Sequence, residues 1–294
     1  MAIPQAELRR LAIAKHVIFV LVAAAVIVPF VAKVYQRDFK PTSYAEDLFQ
    51  KVHNLDANTR VLISLDFDPG SEAELLPMGV AILRHCFQQR LIPVVMTNYP
   101  SGVDLARTIV EEAVAKSEVD YGRKLTSGRD YAYLGFRPGG VNLVLNMGEN
   151  LKGAFQTDYY GKPTEDMPAL VGVQSLKDLK LVIDITSSAW VELWIVYGAD
   201  RFGFEYGAGV TAVMGPDMYP FLQSGQVIGL LDGLRGAADY ELLLQRTEVG
   251  KLDKTGRGIL GMTAQSAAHV LVIVLVLAAN ARFIFRRATG REKG

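Results

Sequence analysis

Two long apolar segments, one near each terminus, constrain the fold of this chain more than any other feature of its sequence. Residues 17–32 include no charged side chain, and residues 267–285 have only His269, Asn280 and Arg282 as strongly polar members. A helix of about 20 apolar residues is long enough to cross the hydrocarbon core of a bilayer. Both segments are more uniformly apolar than an amphipathic surface helix, so the sequence predicts two transmembrane helices.

The predicted organisation places a transmembrane helix at each end of a water-soluble domain. Residues 1–40 hold an N-terminal tip and the first helix, residues 41–262 the domain, and residues 263–294 the second helix and a basic tail. Since Lys and Arg are in excess on the cytoplasmic side of membranes, we expect both termini in the cytoplasm of a bacterial-type inner or cell membrane and the domain outside it. The inverted topology stays open because basic residues flank the second helix on both sides. They are Lys251, Lys254 and Arg257 before it, and Arg286, Arg287, Arg291 and Lys293 after it.

The first helix could also be the start of a secretory signal peptide, which has the same basic and apolar beginning. Cleavage requires small residues just before the cut. Phe30 occupies such a position if Ala32 is the last residue removed. We therefore expect an uncleaved anchor.

Composition excludes several classes of protein. Lys and Arg together number 31, as do Asp and Glu, so there is no overall positive charge of the kind that attracts nucleic acid. The single cysteine, Cys86, rules out an internal disulfide framework and a cysteine-based metal cluster.

Strand and helix patterns alternate along the domain, beginning with the apolar run at 61–65 and the turn at Pro69 and Gly70. This alternation predicts a Rossmann-like or flavodoxin-like α/β fold, with a mostly parallel sheet and helices on both faces. The predicted strands are 61–65, 91–96, 131–136, 179–185 and 208–213, with a further short apolar run at 142–146. The predicted helices are 44–53, 75–88, 103–116, 189–197 and an interrupted helix over 218–245.

Polar residues follow several predicted strands, and the carboxyl ends of parallel strands meet at one edge of a sheet, where ligands bind in open α/β folds. That edge is the predicted site for a small polar ligand. Helix capping is the alternative role for such residues. The candidates are Asp66, Asp68, Thr97, Asn98, Asp184, Thr186 and Ser187.

Two further stretches predict contacts with other chains. The long loop at 150–177 carries Tyr159 and Tyr160, and could be a lid over the strand ends or a strap on a neighbouring subunit. If 225–236 is helical, its glycines form a smooth strip that packs on the sheet or on a second subunit. They are Gly225, Gly229, Gly233 and Gly236.

Four apolar or small residues before Asp66-x-Asp68 resemble the first motif of haloacid dehalogenase-like phosphohydrolases, and Thr97 resembles that family's second motif. The resemblance covers fewer than 40 residues. It implies Asp66 as nucleophile, Asp68 as acid/base and Thr97 as phosphate ligand, with magnesium. The chain departs from the family after Asp68, and no later strand carries the family's Lys and acidic pair.

Other catalytic motifs are absent from the sequence. It has no Gly-x-Gly-x-x-Gly after the first strand, no phosphate-binding Gly-Lys-Ser/Thr loop, no Gly-x-Ser-x-Gly and no metal-ligand spacing among its histidines. We therefore predict no catalytic residue, cofactor or metal. The leading prediction is a non-enzymatic subunit of an oligomeric envelope complex, whose partners are the bilayer, further copies of the chain and other membrane subunits. A membrane-tethered receptor for a small polar ligand and a phosphohydrolase are the alternatives.

Overall fold

The computed structural model describes residues 5–32, 34, 39–247 and 256–289. It divides into two units, one formed by Met1–Arg37 with Ile259–Gly294 and the other by Asp38–Gly258. The basic residues Lys251, Lys254, Arg291 and Lys293, on which the topology prediction depends, lie outside the described residues. In chain order the main elements are α1 Gln5–Val31, α2 Ser43–His53, β1 Arg60–Asp66, α3 Glu72–Gln88, β2 Ile92–Thr97, α4 Val103–Tyr121, β3 Ala132–Phe136, α5 Val141–Ala154, β4 Leu181–Thr186, α6 Trp190–Leu193, the π-helix Trp194–Ala199, α7 Asp200–Phe202, β5 Glu205–Val210, α8 Gly215–Gln223, β6 Leu230–Asp232, α9 Gly233–Thr247 and α10 Arg257–Ala288.

Two helices are long and apolar enough to cross a membrane. They contain the 20-residue stretch Ala12–Val31 of α1 and the 29-residue stretch Arg257–Phe285 of α10. Nearly all side chains in the most apolar part of each stretch are exposed. A core helix of a soluble protein would instead bury most of them.

The second unit is built around a six-stranded, all-parallel sheet with the strand order β3-β2-β1-β4-β5-β6. This is the order of the Rossmann fold, so the predicted Rossmann-like α/β architecture is confirmed. The order reverses between β1 and β4, whose register pairs Ser64 with Asp184 and Asp66 with Thr186. Ligands of such folds bind beside this reversal, at the carboxyl ends of the strands.

Alternation along the strands separates two cores. Odd-numbered β1 residues such as Ile63 pack with apolar residues of α2, α3, α4 and α9. On the other face, Leu62 packs with residues of α5, the π-helix and α8. Both cores are closed by fully buried aromatic side chains, such as Tyr240 in the first and Trp194 in the second.

Two predicted elements differ from the structure. The apolar run at 142–146 is part of helix α5, whose buried residues Leu143, Val144, Met147 and Leu151 follow helical spacing. Five residues are too few to distinguish a period of 2 from a period of 3.6, which explains the ambiguity. The predicted helix 218–245 is two helices separated by β6, a three-residue strand too short to show a pattern of its own.

The expectation that the four glycines form one helical strip is wrong. Gly225 lies in a turn with φ +79°, Gly229 precedes β6, and only Gly233 and Gly236 belong to the same helix, α9. A Cβ at Gly229 would stand 2.6 Å from the backbone nitrogen of Leu48 in α2. At Gly236 it would stand 2.6 Å from backbone atoms of Leu231. At Gly233 it would stand 2.6 Å from the Cβ of Ala212, so close packing inside the domain accounts for three of the four glycines.

The long loop packs on its own domain. The Tyr159 amide donates a 2.9 Å hydrogen bond to the carbonyl of Tyr133 in the edge strand β3. Farther along, Met167, Leu170 and Val173 are buried in the second core. Tyr159 and Tyr160 remain 38% and 46% exposed. The loop thus covers β3 while both tyrosines stay accessible.

Replacing Gly229 with alanine should destabilise the domain strongly, because the new methyl group would meet the backbone of α2. We expect a loss of about 2 kcal/mol or more, since overpacking against backbone cannot be relieved by a rotamer change. Gly225→Ala is the matched control, because it meets no neighbour and carries only the cost of a positive φ, about 1 kcal/mol. Thermal unfolding of the full chain in detergent measures both; an equal or larger loss in Gly225→Ala would contradict the packing argument.

Candidate functional site

The reversal of strand order brings two acidic side chains together in the interior. Asp66 is the last residue of β1, and Asp184 lies in β4 opposite Ser64. Because alternate residues of a strand share a face, Ser64, Asp66 and Asp184 all project to the side of the second core. Both carboxyl groups are fully buried.

Asp66 accepts hydrogen bonds on both carboxylate oxygens. The Asn98 backbone amide donates to Oδ1 at 2.5 Å. The Asn98 side-chain amide donates to Oδ2 at 2.9 Å, and the Ser64 hydroxyl donates to the same oxygen at 2.7 Å. Burial raises the pKa of Asp66, while these hydrogen bonds lower it. Because hydrogen-bond donors stabilise the ionised form of a carboxyl group, Asp66 is the one of the two acids that carries the negative charge.

Asp184 is the carboxyl group of the pair that stays protonated. Burial raises its pKa well above the usual range, and the neighbouring charge of Asp66 raises it further. The Tyr206 hydroxyl donates to Asp184 Oδ2 at 3.2 Å, and among the described residues Oδ1 faces no donor. A proton on Asp184 can be donated to Asp66, which satisfies both groups. Burial and Asp184 also raise the pKa of Tyr206 well above its usual value, so the phenol stays neutral.

The remaining predicted ligand residues bond mainly within their own loops. The Thr97 hydroxyl accepts from the Tyr99 amide at 3.0 Å, and Asp68 Oδ1 accepts from the Gly70 amide at 2.9 Å. The Thr186 hydroxyl donates to the Asp66 carbonyl at 2.9 Å. The Thr97 and Asp68 bonds are turn and cap interactions, the alternative role considered for such residues, whereas the Thr186 bond links β4 to β1.

The structure thus gathers the predicted residues at one edge but buries the central ones. Asp66, Asp184, Thr97 and Thr186 have no exposed surface, whereas Asp68 and Ser187 are half-buried. The phosphohydrolase chemistry implied by the resemblance needs Asp66 to touch substrate, and its two oxygens are already engaged. The geometry supports a proton shared between the carboxyl groups of Asp66 and Asp184.

A histidine pair in the first core was not predicted, because its members are far apart in the sequence. His53 Nδ1 and His85 Nε2 lie 3.4 Å apart, and His85 Nδ1 lies 2.9 Å from the Tyr240 hydroxyl. Burial lowers the pKa of His85 to about 3, which keeps the ring neutral. Within the described residues, no three or more His, Cys, Asp or Glu side chains are grouped to hold a metal.

A groove between α2 and α8 was also missed. It encloses about 340 Å³ beside Tyr44 and Tyr219, whose ring centroids are 5.8 Å apart. Leu222, Val227 and Ile228 supply its apolar walls, and Asp47 and Gln223 supply polar ones. The tyrosines are 40% and 39% exposed, so the groove opens to the surface. Tyr44 and Tyr219 are 175 positions apart, and only the fold brings them together.

No known protein family and no curated protein sequence matches the chain. Among solved structures, the trehalose-6-phosphate synthase OtsA matches with 8% identity and a TM-score of 0.31, covering 80% of this chain and 44% of that one. The chain spans less than half of that structure's length. A likeness of this degree carries no argument about function.

The proton assigned to Asp184 should appear in the pH dependence of stability. A group protonated in the folded state and ionised in the unfolded state loses stability as pH rises, by up to about 1.4 kcal/mol per pH unit. Asp184→Asn keeps an N–H donor toward Asp66 and has no proton to lose. We therefore expect this variant to gain on the wild type as the pH rises above about 4, the pKa of an unfolded Asp, in thermal unfolding of the full chain. Asp66→Asn is the control; it loses a charged acceptor and should cost roughly 2–4 kcal/mol. Parallel pH profiles for wild type and Asp184→Asn would contradict the assignment.

Proposed function

We propose that this chain is a two-span membrane protein whose α/β domain serves as a structural or interaction subunit of an oligomeric membrane complex, with other copies of the chain as its first partners. The observation that carries the proposal is the exposed apolar surface of two helices of membrane-spanning length. The groove between α2 and α8 adds two partly exposed tyrosines, Tyr44 and Tyr219. Exposed apolar surface of this kind is typical of contacts with lipid or with other proteins.

The polar edge of the sheet supports a non-catalytic role. Catalytic groups have to reach substrate, and Asp66 and Asp184 are buried and bonded within the protein. Their contribution is to join the two halves of the sheet.

The groove is where we expect the contact between copies. Aromatic side chains such as Tyr44 and Tyr219 are enriched at interfaces because they bury much area at low entropic cost. Gly225 lies in the turn that follows α8 and is exposed. Tyr159 and Tyr160, beside the edge strand β3, are exposed as well. Among the residues predicted as an interface, these three remain accessible, whereas Gly229, Gly233 and Gly236 are buried.

The mass of the full chain in mild detergent tests the proposal. We expect an oligomer, and a dissociation constant raised about tenfold or more by Tyr219→Ser, since truncating a buried interface aromatic typically costs more than about 1 kcal/mol. Tyr197→Ser is the matched control, because Tyr197 is 38% exposed and lies outside the groove. A strictly monomeric wild type would refute the proposal; equal effects of both substitutions would refute the groove as the contact.

The proposed topology places both termini in the cytoplasm, on the basis of Arg286, Arg287, Arg291 and Lys293 after the second helix. A green fluorescent protein fused to the C-terminus should then fluoresce in a bacterial host, whereas alkaline phosphatase at the same place should be inactive. The reverse pair of results would establish the inverted topology.

A further inference from the structure

A cleft opens at the amino-terminal edge of the sheet, opposite the edge that carries Asp66. It encloses about 330 Å³ where the chain enters β1, β2 and β3. Its walls include three arginines, Arg90, Arg123 and Arg129, and one acid, Asp130. Leu91, Ile92 and Pro168 supply an apolar side.

A fourth guanidinium group stands at the same wall. Arg60 donates hydrogen bonds to the carbonyl oxygens of Asn58 at 3.0 Å and Pro168 at 3.4 Å, both residues of the cleft. Its partners are neutral, so its charge is not cancelled there. Four guanidinium groups against a single carboxylate make this corner strongly positive, although the chain has no net charge.

Arg90 and Arg123 leave most of their donors unused. Arg129 is more fully engaged, because its Nε and Nη2 donate to Asp130 Oδ2 at 3.2 and 3.0 Å and Nη2 also donates to the Thr126 hydroxyl at 3.3 Å. Arg123 donates one hydrogen bond, to the carbonyl of Phe87 at 3.2 Å, which caps the end of α3. Among the described residues, the exposed guanidinium of Arg90 has no hydrogen-bond or ion-pair partner. A guanidinium carries several N–H donors in a planar fork that fits phosphate and carboxylate oxygens.

Backbone strain marks the same place. Asn58 and Arg90 adopt φ +67° and +57°, and among the described residues no other non-glycine residue has a positive φ. The Asn58 amide donates to the Arg90 carbonyl at 2.8 Å, so the two strained residues hold each other. Arg90 follows the end of α3 at the position where glycine is the usual residue. Strained residues of this kind cluster at ligand sites.

A second hollow adjoins the cleft through Arg129 and Pro168. It encloses about 390 Å³, and its walls include Pro163 and Met167 as apolar residues, with Lys162 and Asp166 as one residue of each charge. A ligand held by its anionic group at the arginines could extend its less polar part along these residues.

We propose that this cleft binds an oxyanion, the phosphate or carboxylate group of a small molecule, through Arg90, Arg123 and Arg129. The phosphate can belong to a soluble metabolite or to a lipid headgroup, since both present the same oxygens. This site is independent of the interaction role proposed above. Its residues lie at the amino-terminal ends of β1, β2 and β3, whereas the groove proposed as the contact between copies lies between α2 and α8.

The first test is protection of the full chain in detergent by inorganic pyrophosphate, measured as a rise in melting temperature and as a dissociation constant. Arg90→Gly is the key variant, because it relieves the positive φ while removing the guanidinium. We expect this variant to melt no lower than wild type without ligand and to bind pyrophosphate about tenfold or more weakly. Arg123→Gln provides a second variant with the same expected loss. Arg201→Gln, an exposed arginine outside both hollows, should bind as wild type does.

A second arm distinguishes the two sources of phosphate. Short-chain phosphatidic acid and the matching phosphatidylcholine are titrated into the same protein alongside pyrophosphate. Protection by phosphatidic acid alone assigns the cleft to a lipid headgroup, and protection by pyrophosphate assigns it to a soluble ligand; each must be lost in Arg90→Gly. Absence of protection by all probes, or equal losses in Arg90→Gly and Arg201→Gln, would overturn the proposal.

Discussion

The burial of two carboxyl groups side by side is the constraint on which the sheet depends. Asp66 and Asp184 join β1 to β4, the one place where the order of strands reverses. Two ionised carboxylates could not share such a site, because desolvation and mutual repulsion would each oppose it. One proton, together with Asn98, Ser64 and Tyr206, makes the arrangement tolerable. The same network engages the central polar side chains at the edge where ligands bind in related architectures.

The two edges of the sheet are therefore used differently. At the carboxyl edge the buried acids bond within the protein, whereas at the amino edge Arg90 is exposed and Arg123 donates a single hydrogen bond. In most open α/β domains the ligand lies at the carboxyl edge. Here the available charge lies on the opposite side, because Arg90 and Arg123 follow the ends of α3 and α4. A basic residue after a helix also favours the helix dipole, so the position serves folding and recognition together.

The sequence predicted the parallel α/β sheet well, because β1, β2 and β4 are continuous apolar runs followed by turn residues. It also placed Asp66, Asn98 and Asp184 at one edge correctly. It did not reveal that they are buried, since burial depends on residues of later elements, such as Tyr206, which bonds to Asp184. Short segments were the other weakness: Leu143 and Val144 fit a strand as well as a helix, and β6 has only three residues. The arginine cleft was missed because its members are dispersed over 60–129 and meet only in the folded chain.

The covering of the β3 edge by Tyr159 limits how copies of this chain can assemble. An exposed edge strand invites a neighbouring strand to extend the sheet, which leads to open-ended aggregates. At β3 the loop already bonds to the backbone, and at the other end β6 offers only three residues beside α2. Continuous pairing of sheets from one molecule to the next is thereby discouraged. Contacts between copies are therefore made mainly through side chains, and they give a closed pair when both copies use the same surface.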